Sequence, residues 1–246
     1  MTTLYIIATP IGNLQDISPR AIGILKGVDL ILAEDTRVAK KLLGYYNVKT
    51  SLISYHQHSK LEKVDYILKL LSDGRNLALI SDAGTPGISD PGNKLVEEVV
   101  RSLGDRASII SIPGPSALAA AASVSGFPMD KFLFLGFPPT KRKRQKFFQE
   151  VLASEYPVVL YESSHRILKT LGELSSIPSF AEATAGRQNT QYTIHNTRVV
   201  VCHELTKMFE KTYRGTILEV LGKMKDKDLR GEFVIIVNGH KFKKDE

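Results

Sequence analysis

Short apolar runs alternate with amphipathic stretches through the first half of the chain, and that rhythm leaves few folds open. Residues 4–8 (LYIIA), 28–33 (VDLILA), 51–55, 77–80 (LALI) and 107–112 read as strands. The first of these is continuously apolar, as expected of a strand covered on both faces. Helices fit the intervals. One is opened by Ser18-Pro19, with Ser as N-cap and Pro in the first turn. A second starts near Thr36 with Val38, Leu42 and Leu43 on one side. Two more cover residues 61–71 and 94–103. Strand followed by helix, repeated, predicts an α/β architecture built on a mostly parallel, doubly wound sheet.

The tempo changes after Ile112. The segment PGPSALAAAASVSGFP packs small residues into a tight turn and a short helix, which places a domain boundary between Ile112 and Asp130. The expected division is 1–114 and 115–246. The second half carries strand-like runs at 131–135, 158–161, 199–202 and 233–237 with helices between them, the pattern of a smaller mixed α/β domain. Residues 178–196 (PSFAEATAGRQNTQYTIHN) have no clean period and read as an inserted, exposed loop.

At 246 residues the chain can bury a core in each half. No apolar run approaches the ~18 residues of a membrane span, and MTTLYIIATP lacks the basic start of a signal peptide. A single cysteine, Cys202, excludes an internal disulfide and a Cys-rich zinc site; a reducing cytoplasm is the simplest setting. The net charge of +7 favours a polyanionic partner such as nucleic acid over a merely basic enzyme, because the charge is clustered.

Three special loops fall where strands should end: TPIGN (9–13), SDAGTPGISDPG (81–92) and PGPSA (113–117). Ligands of open α/β sheets gather outside the carboxyl ends of strands. Glycine there permits close approach and proline fixes loop shape. Any one loop could be a plain turn; three at corresponding ends point to a small-molecule site. Familiar ligands are excluded by absence. There is no GxGxxG with a following acid and no GxxxxGK[ST], no zinc-ligand spacing, no GxSxG elbow, and Asp82 and Asp90 lack EF-hand spacing. No metal is expected, and His56 and His58 read as solvated loop.

Charged motifs follow strands elsewhere. YESSHR (161–166) and VCHELTK (201–207) suit a polar rim, although Glu162 and Ser163 could simply cap a helix starting near His165. Glu34-Asp35-Thr36-Arg37 also follows a strand: Asp35 reads as a helix cap and Arg37 as a possible phosphate contact. The run KRKRQK (141–146) opens a helix containing Phe147, Phe148 and Val151, and is a credible contact for a phosphate backbone. The tail KFKK (241–244) reads as a disordered end.

Taken in order, LYIIATPIGNLQDIS, AEDTR, LISDAGTPGISDPG, IPGPSALAAAASVSG, FLFLGFPP, YESSHR, ELTK and RGEFVIIV resemble the bacterial ribosomal small-subunit methyltransferase I family, within the tetrapyrrole-methylase-like class. The chain departs from the family at Ser164, where proline is usual, and at 178–196, which is longer. The resemblance implies a two-domain tetrapyrrole-methylase-like fold, a homodimer, and S-adenosylmethionine bound in the cleft between domains. It implies 2′-O-methylation of a cytidine ribose in the decoding centre of 16S rRNA, within the 30S subunit. Cofactor contacts carry over to Pro10, Ala83, Gly84, Thr85, Ile88, Ser116, Ala117, Glu162 and Leu205. RNA contacts are expected at Arg37, Lys141, Arg142, Lys143, Arg144, Arg166 and Lys207. Candidates for the base that takes the ribose proton are Glu162, Glu204, His165 and Asp35, unranked, each with a cap or ion-pair role as the alternative. Competing functions are methylation of a tetrapyrrole precursor and non-enzymatic RNA binding in ribosome assembly.

Overall fold

The computed structural model describes residues 2–56, 59, 61–90, 92–177, 197–224 and 229–239. It divides into two compact units, Met1–Ser116 and Ala117–Glu246. The insertion expected at 178–196 and the basic tail at 241–244 lie outside the described residues, as does His58.

The first unit contains β1 (Thr2–Ile7), α1 (Pro19–Gly27), β2 (Leu30–Ala33), α2 (Thr36–Tyr45), β3 (Leu52–Ser54), α3 (Leu61–Ser72), β4 (Leu77–Ile80), α4 (Gly92–Leu103) and β5 (Ala107–Ile112). The strands form one sheet in the order β3-β2-β4-β1-β5, all parallel. Alternation along each strand feeds two cores. Ile31 and Ala33 pack with α1 and α2 through Ala21, Leu25, Ala39, Leu42 and Leu43. Leu30 and Leu32 pack with α3 and α4 through Val64, Ile67, Leu71, Leu95 and Val99. Ser18 caps α1 by accepting from the Ala21 amide at 3.1 Å.

Two sequence expectations are corrected here. Val28 ends α1 rather than starting a strand, because its amide donates to the Ile24 carbonyl. Val38 faces outward, since the buried stripe of α2 is Ala39, Leu42 and Leu43.

The connections position the site. The crossovers through α1 and α2 run one way along the sheet and those through α3 and α4 run the other, on opposite faces. The chains leaving β1 and β4, which are neighbours, therefore diverge, and a crevice opens at their carboxyl ends.

The second unit contains α5 (Ala117–Ser125), β6 (Leu133–Gly136), α6 (Arg144–Ala153), β7 (Val158–Ser163), α7 (Ile167–Ser176), β8 (Arg198–His203), β9 (Lys211–Thr216), α8 (Ile217–Met224) and β10 (Glu232–Val237). The sheet order is β6-β7-β10-β8-β9, with β6 parallel to β7 and the other pairs antiparallel. α6, α7 and α8 cover one face, burying Phe148, Val151, Leu171, Leu174, Val220 and Met224 against Val158, Leu160, Val201 and Ile235. β9 has no counterpart in the sequence reading: KTYRGT is polar, and it is an edge strand in which only Tyr213 packs on the core.

No described helix is long and apolar enough to cross a membrane.

Candidate active site

In the first unit the three Gly/Pro loops meet at the end of the sheet. Thr9 and Gly84 form an isolated antiparallel bridge, each amide donating to the other's carbonyl at 2.9 and 3.0 Å. The Thr9 hydroxyl donates to the Ser81 carbonyl at 3.2 Å. The Thr85 hydroxyl donates to the Pro115 carbonyl at 3.2 Å, joining the second loop to the third. Two glycines make this possible. Gly84 has φ +79°, a region costly to side-chain-bearing residues. A Cβ on Gly114 would lie 3.1 Å from that of Ala8. The result is a floor of closely set backbone with few side chains on it.

Carboxylates brace the loop 81–90. Asp90 Oδ1 accepts from the amides of Gly87 (2.6 Å) and Gly92 (2.9 Å). Asp82 Oδ1 accepts from the amide of Asp35 at 3.0 Å, tying the loop to the end of β2. Both aspartates are thus loop-shaping groups. Among the described residues no cluster of His, Cys, Asp and Glu could hold a metal ion.

A small, partly open pocket beside this loop is lined by Glu34, Tyr55, Leu79, Ile80, Ser81, Pro86, Asp90 and Gly92. Glu34 was not singled out from sequence, although it is the first residue after β2. Burial, then the negative charges of Asp82, Asp90 and Asp35, raise its carboxyl above the usual range. A folded-state pKa above the unfolded one means the folded chain holds this proton more tightly. The stability it contributes is present below the unperturbed value of 4.5 and is lost as pH rises through the raised value. Glu34→Gln is expected to raise the unfolding midpoint near neutral pH by about 1–2 °C and to leave it unchanged below pH 4.5. Melting curves at the two conditions check this; an equal shift in both contradicts it.

Of the other first-unit candidates, Pro10 is buried, Thr85 is half-buried, and Ala83 and Ile88 are exposed at the crevice. Ser116 and Ala117 stand at the join of the two units. Asp35 is the N-cap of α2, accepting from the Arg37 amide, and its carboxylate pairs with the Arg37 guanidinium. That side-chain hydrogen bond first, and the amide second, hold Asp35 down at about 2. Such a carboxylate is a weak base.

In the second unit YESSHR is built differently from the sequence reading. Neither Glu162 nor Ser163 caps a helix: α7 starts at Ile167, with Arg166 at its N-cap position. The Glu162 side chain has 0% exposure and points under the helices. Its Oε1 accepts from the Ser163 amide (2.8 Å) and pairs with Arg166 Nη2 (2.7 Å), while its Oε2 accepts from the Thr170 hydroxyl (2.6 Å). Arg144 joins the same cluster. Its Nη2 donates to Thr170 Oγ1 (2.5 Å), its Nε pairs with Glu173 (2.5 Å), and its guanidinium lies 4.9 Å from the Phe148 ring centre. The two guanidiniums also grip the chain before α6, Arg166 donating to the Pro138 carbonyl (3.1 Å) and Arg144 to that of Pro139 (2.8 Å).

This corrects three expectations. The Glu162 carboxylate is enclosed and engaged by Arg166, Thr170 and the Ser163 amide, where the sequence suggested an open polar rim. Arg144, expected among the RNA contacts, is interior. The helix begins at Arg144, so Lys141, Arg142 and Lys143 form an exposed turn before it, with Lys143 in the left-handed region at φ +66°.

Around ELTK, Lys207 pairs with Glu204 (2.8 Å) and Glu232 (3.0 Å). Burial alone would raise the Glu204 carboxyl, but the Lys207 ammonium and the Glu232 amide outweigh it and the net shift is downward. Glu204 and Thr206 take positive φ, and Leu205 between them is buried. Of the four base candidates, only His165 is exposed and carries no hydrogen bond or ion pair among the described residues.

The family model for Tetrapyrrole (Corrin/Porphyrin) Methylases matches residues 3–221. A Halalkalibacterium halodurans protein named ribosomal RNA small subunit methyltransferase I is 40% identical over 97% of this chain and 76% of its own length. Its namesake from Thermotoga maritima is 38% identical over 97% of this chain and 99% of its own. The chain belongs to the ribosomal RNA small subunit methyltransferase I family. The Escherichia coli O157:H7 member is 38% identical over 99% of this chain and 80% of its own length.

Among solved structures, a cobalt precorrin-4 methyltransferase of cobalamin biosynthesis aligns with TM-score 0.61 at 20% identity, over 96% of this chain and 94% of that one. A Thermus thermophilus uroporphyrin-III C-methyltransferase aligns with TM-score 0.60 at 17% identity, over 97% and 94%. These establish the tetrapyrrole methylase fold. Methyltransferases of this family and fold use S-adenosylmethionine. The floor of closely set backbone at Thr9, Gly84 and Gly114, bridged between Thr9 and Gly84 and packed at Gly114 against Ala8, fits a ligand laid against main chain.

Proposed function

We propose that this chain methylates the 2′-oxygen of a cytidine ribose in the decoding centre of 16S rRNA, acting as a homodimer on the 30S particle. The observation that carries the reading is the near-full-length likeness to proteins named for small-subunit rRNA. The exposed turn Lys141–Arg142–Lys143, with no ion pair among the described residues, suits a phosphate backbone.

Bound S-adenosylmethionine supplies an electrophilic methyl group. The chain's part is to hold and orient. We assign the cofactor's contacts to Pro10, Ala83–Thr85, Ile88, Ser116, Ala117 and Leu205. Holding donor and ribose in line can account for much of the rate. The ribose hydroxyl must also lose its proton, and His165 is our choice of base. The carboxylates of Glu162, Asp35 and Glu204 are each committed to a cation or amide. Arg37 is exposed to RNA beyond its pairing with Asp35, whereas Arg166 and Lys207 are held by acids and act on RNA only through what they position.

The test is transfer of labelled methyl from S-adenosylmethionine to 30S particles lacking the modification, with the product mapped at nucleotide resolution. Ribose methylation at one cytidine is expected; methylation of a porphyrinoid but not of 30S particles overturns the assignment. His165→Gln is expected to lower kcat by about 100-fold or more while cofactor affinity, measured by calorimetry, is retained. Converting Lys141, Arg142 and Lys143 together to alanine is expected to flatten the dependence of log binding constant on log salt by about 2, each lost phosphate contact removing ~0.7–0.9. An unchanged slope in a salt titration contradicts a phosphate role for the turn.

A further inference from the structure

We infer that Phe137 is a stacking platform for an unpaired RNA base, held in place by the buried Glu162–Arg144–Arg166 cluster. The inference rests on the RNA-methylating reading and names how the chain grips that substrate. Phe137 follows β6 directly and leaves 52% of its surface exposed. A single exposed aromatic ring is ordinary; this one is unusual in how firmly its base is fixed. One side leans on Tyr161, ring centres 5.6 Å apart at 64°. Tyr161 is itself fixed, by the Phe134 ring at 4.9 Å and by the Leu118 amide, which donates to its hydroxyl at 3.2 Å. The next two residues are Pro138 and Pro139, whose φ angles are locked by their rings, and their carbonyls are the ones gripped by Arg166 and Arg144.

The rest of the loop supplies charge. Lys141, Arg142 and Lys143 come four to six positions later, exposed and with no ion pair among the described residues. A fixed aromatic face beside unneutralised cations matches single-stranded nucleic acid: the cations meet the backbone and the ring meets a base, whose identity matters little. Duplex RNA offers no such face, because its bases are already stacked, so the partner is a loop or a splayed nucleotide. Glu162 is accordingly a positioning residue, acting through the two arginines.

Two measurements test this on the full-length protein. The first is quenching of 2-aminopurine fluorescence in a short single-stranded RNA; the second is KM against kcat for 30S particles. Phe137→Ala is expected to abolish the quench and to raise KM roughly 10-fold, more than it lowers kcat. Phe137→Tyr is expected to restore both and Phe137→Leu neither, with the unfolding midpoint unchanged in all three. An unchanged quench and KM in Phe137→Ala, or full rescue by leucine, overturns the inference. So does a Phe137→Ala protein that changes only its sedimentation, which would make the ring a subunit contact. A wild-type protein that methylates no 30S particle would instead sink the rRNA reading, while the fluorescence assay still decides whether Phe137 stacks.

Discussion

Glu162→Ala is expected to lower the unfolding midpoint by roughly 10 °C. The carboxylate is fully enclosed and satisfies Arg166, Thr170 and the Ser163 amide at once, with Arg144 at 3.9 Å. Removing it leaves the mostly buried Arg166 guanidinium with no acid among the described residues, while Arg144 keeps Glu173. Breaking such a pair from one side costs about 3–5 kcal/mol, and for a chain of this size each kcal/mol moves the midpoint by about 2–4 °C. Glu162→Gln keeps the acceptor oxygen and the shape, so a smaller loss is expected. Thermal unfolding followed by circular dichroism measures both. A Glu162→Ala protein as stable as wild type, yet inactive, would return Glu162 to the list of groups that meet substrate.

Asp90→Ala is expected to weaken S-adenosylmethionine binding by roughly 10- to 100-fold with a much smaller effect on stability, since charge-assisted hydrogen bonds are worth about 1.5–3 kcal/mol each. One carboxylate oxygen gathers the amides of Gly87 and Gly92, and Asn93 closes the same turn by donating to the Gly87 carbonyl at 2.7 Å. Ser89 sits at φ +65°, a conformation that needs such support, and Gly87 at φ +90°, which glycine adopts freely. Without it the loop relaxes and the proposed contacts at Ala83–Thr85 and Ile88 lose their geometry. Asp90→Asn, still an acceptor, should fall between. Calorimetric titration separates the three, and wild-type affinity in Asp90→Ala would mean that the loop does not form the cofactor's wall.

The parallel sheet of the first unit was legible because buried parallel strands are written as unbroken apolar runs, and the three strand-end loops because Gly and Pro mark them. β9 was not, since an edge strand with one packed side chain carries no strong pattern. The side-chain roles of the second unit were misread for a reason that periodicity could have exposed. Arg144 stands four residues before Phe148 and seven before Val151, on the buried stripe of α6. Glu162 stands two after Leu160 and four after Val158, on the helix-covered face of β7. Charge suggested solvent, while position placed both residues inside. Glu34 was quoted only as part of a charged motif, because its raised carboxyl depends first on burial and then on Asp82 and Asp90, which only the folded sheet end supplies.

The most direct test of the account is nucleotide-resolution mapping of ribose methylation on 16S rRNA from cells with and without this protein. One decoding-centre cytidine is expected to lose its 2′-O-methyl group without the protein and to regain it when the wild-type chain is restored. An identical methylation map in the two strains would contradict it.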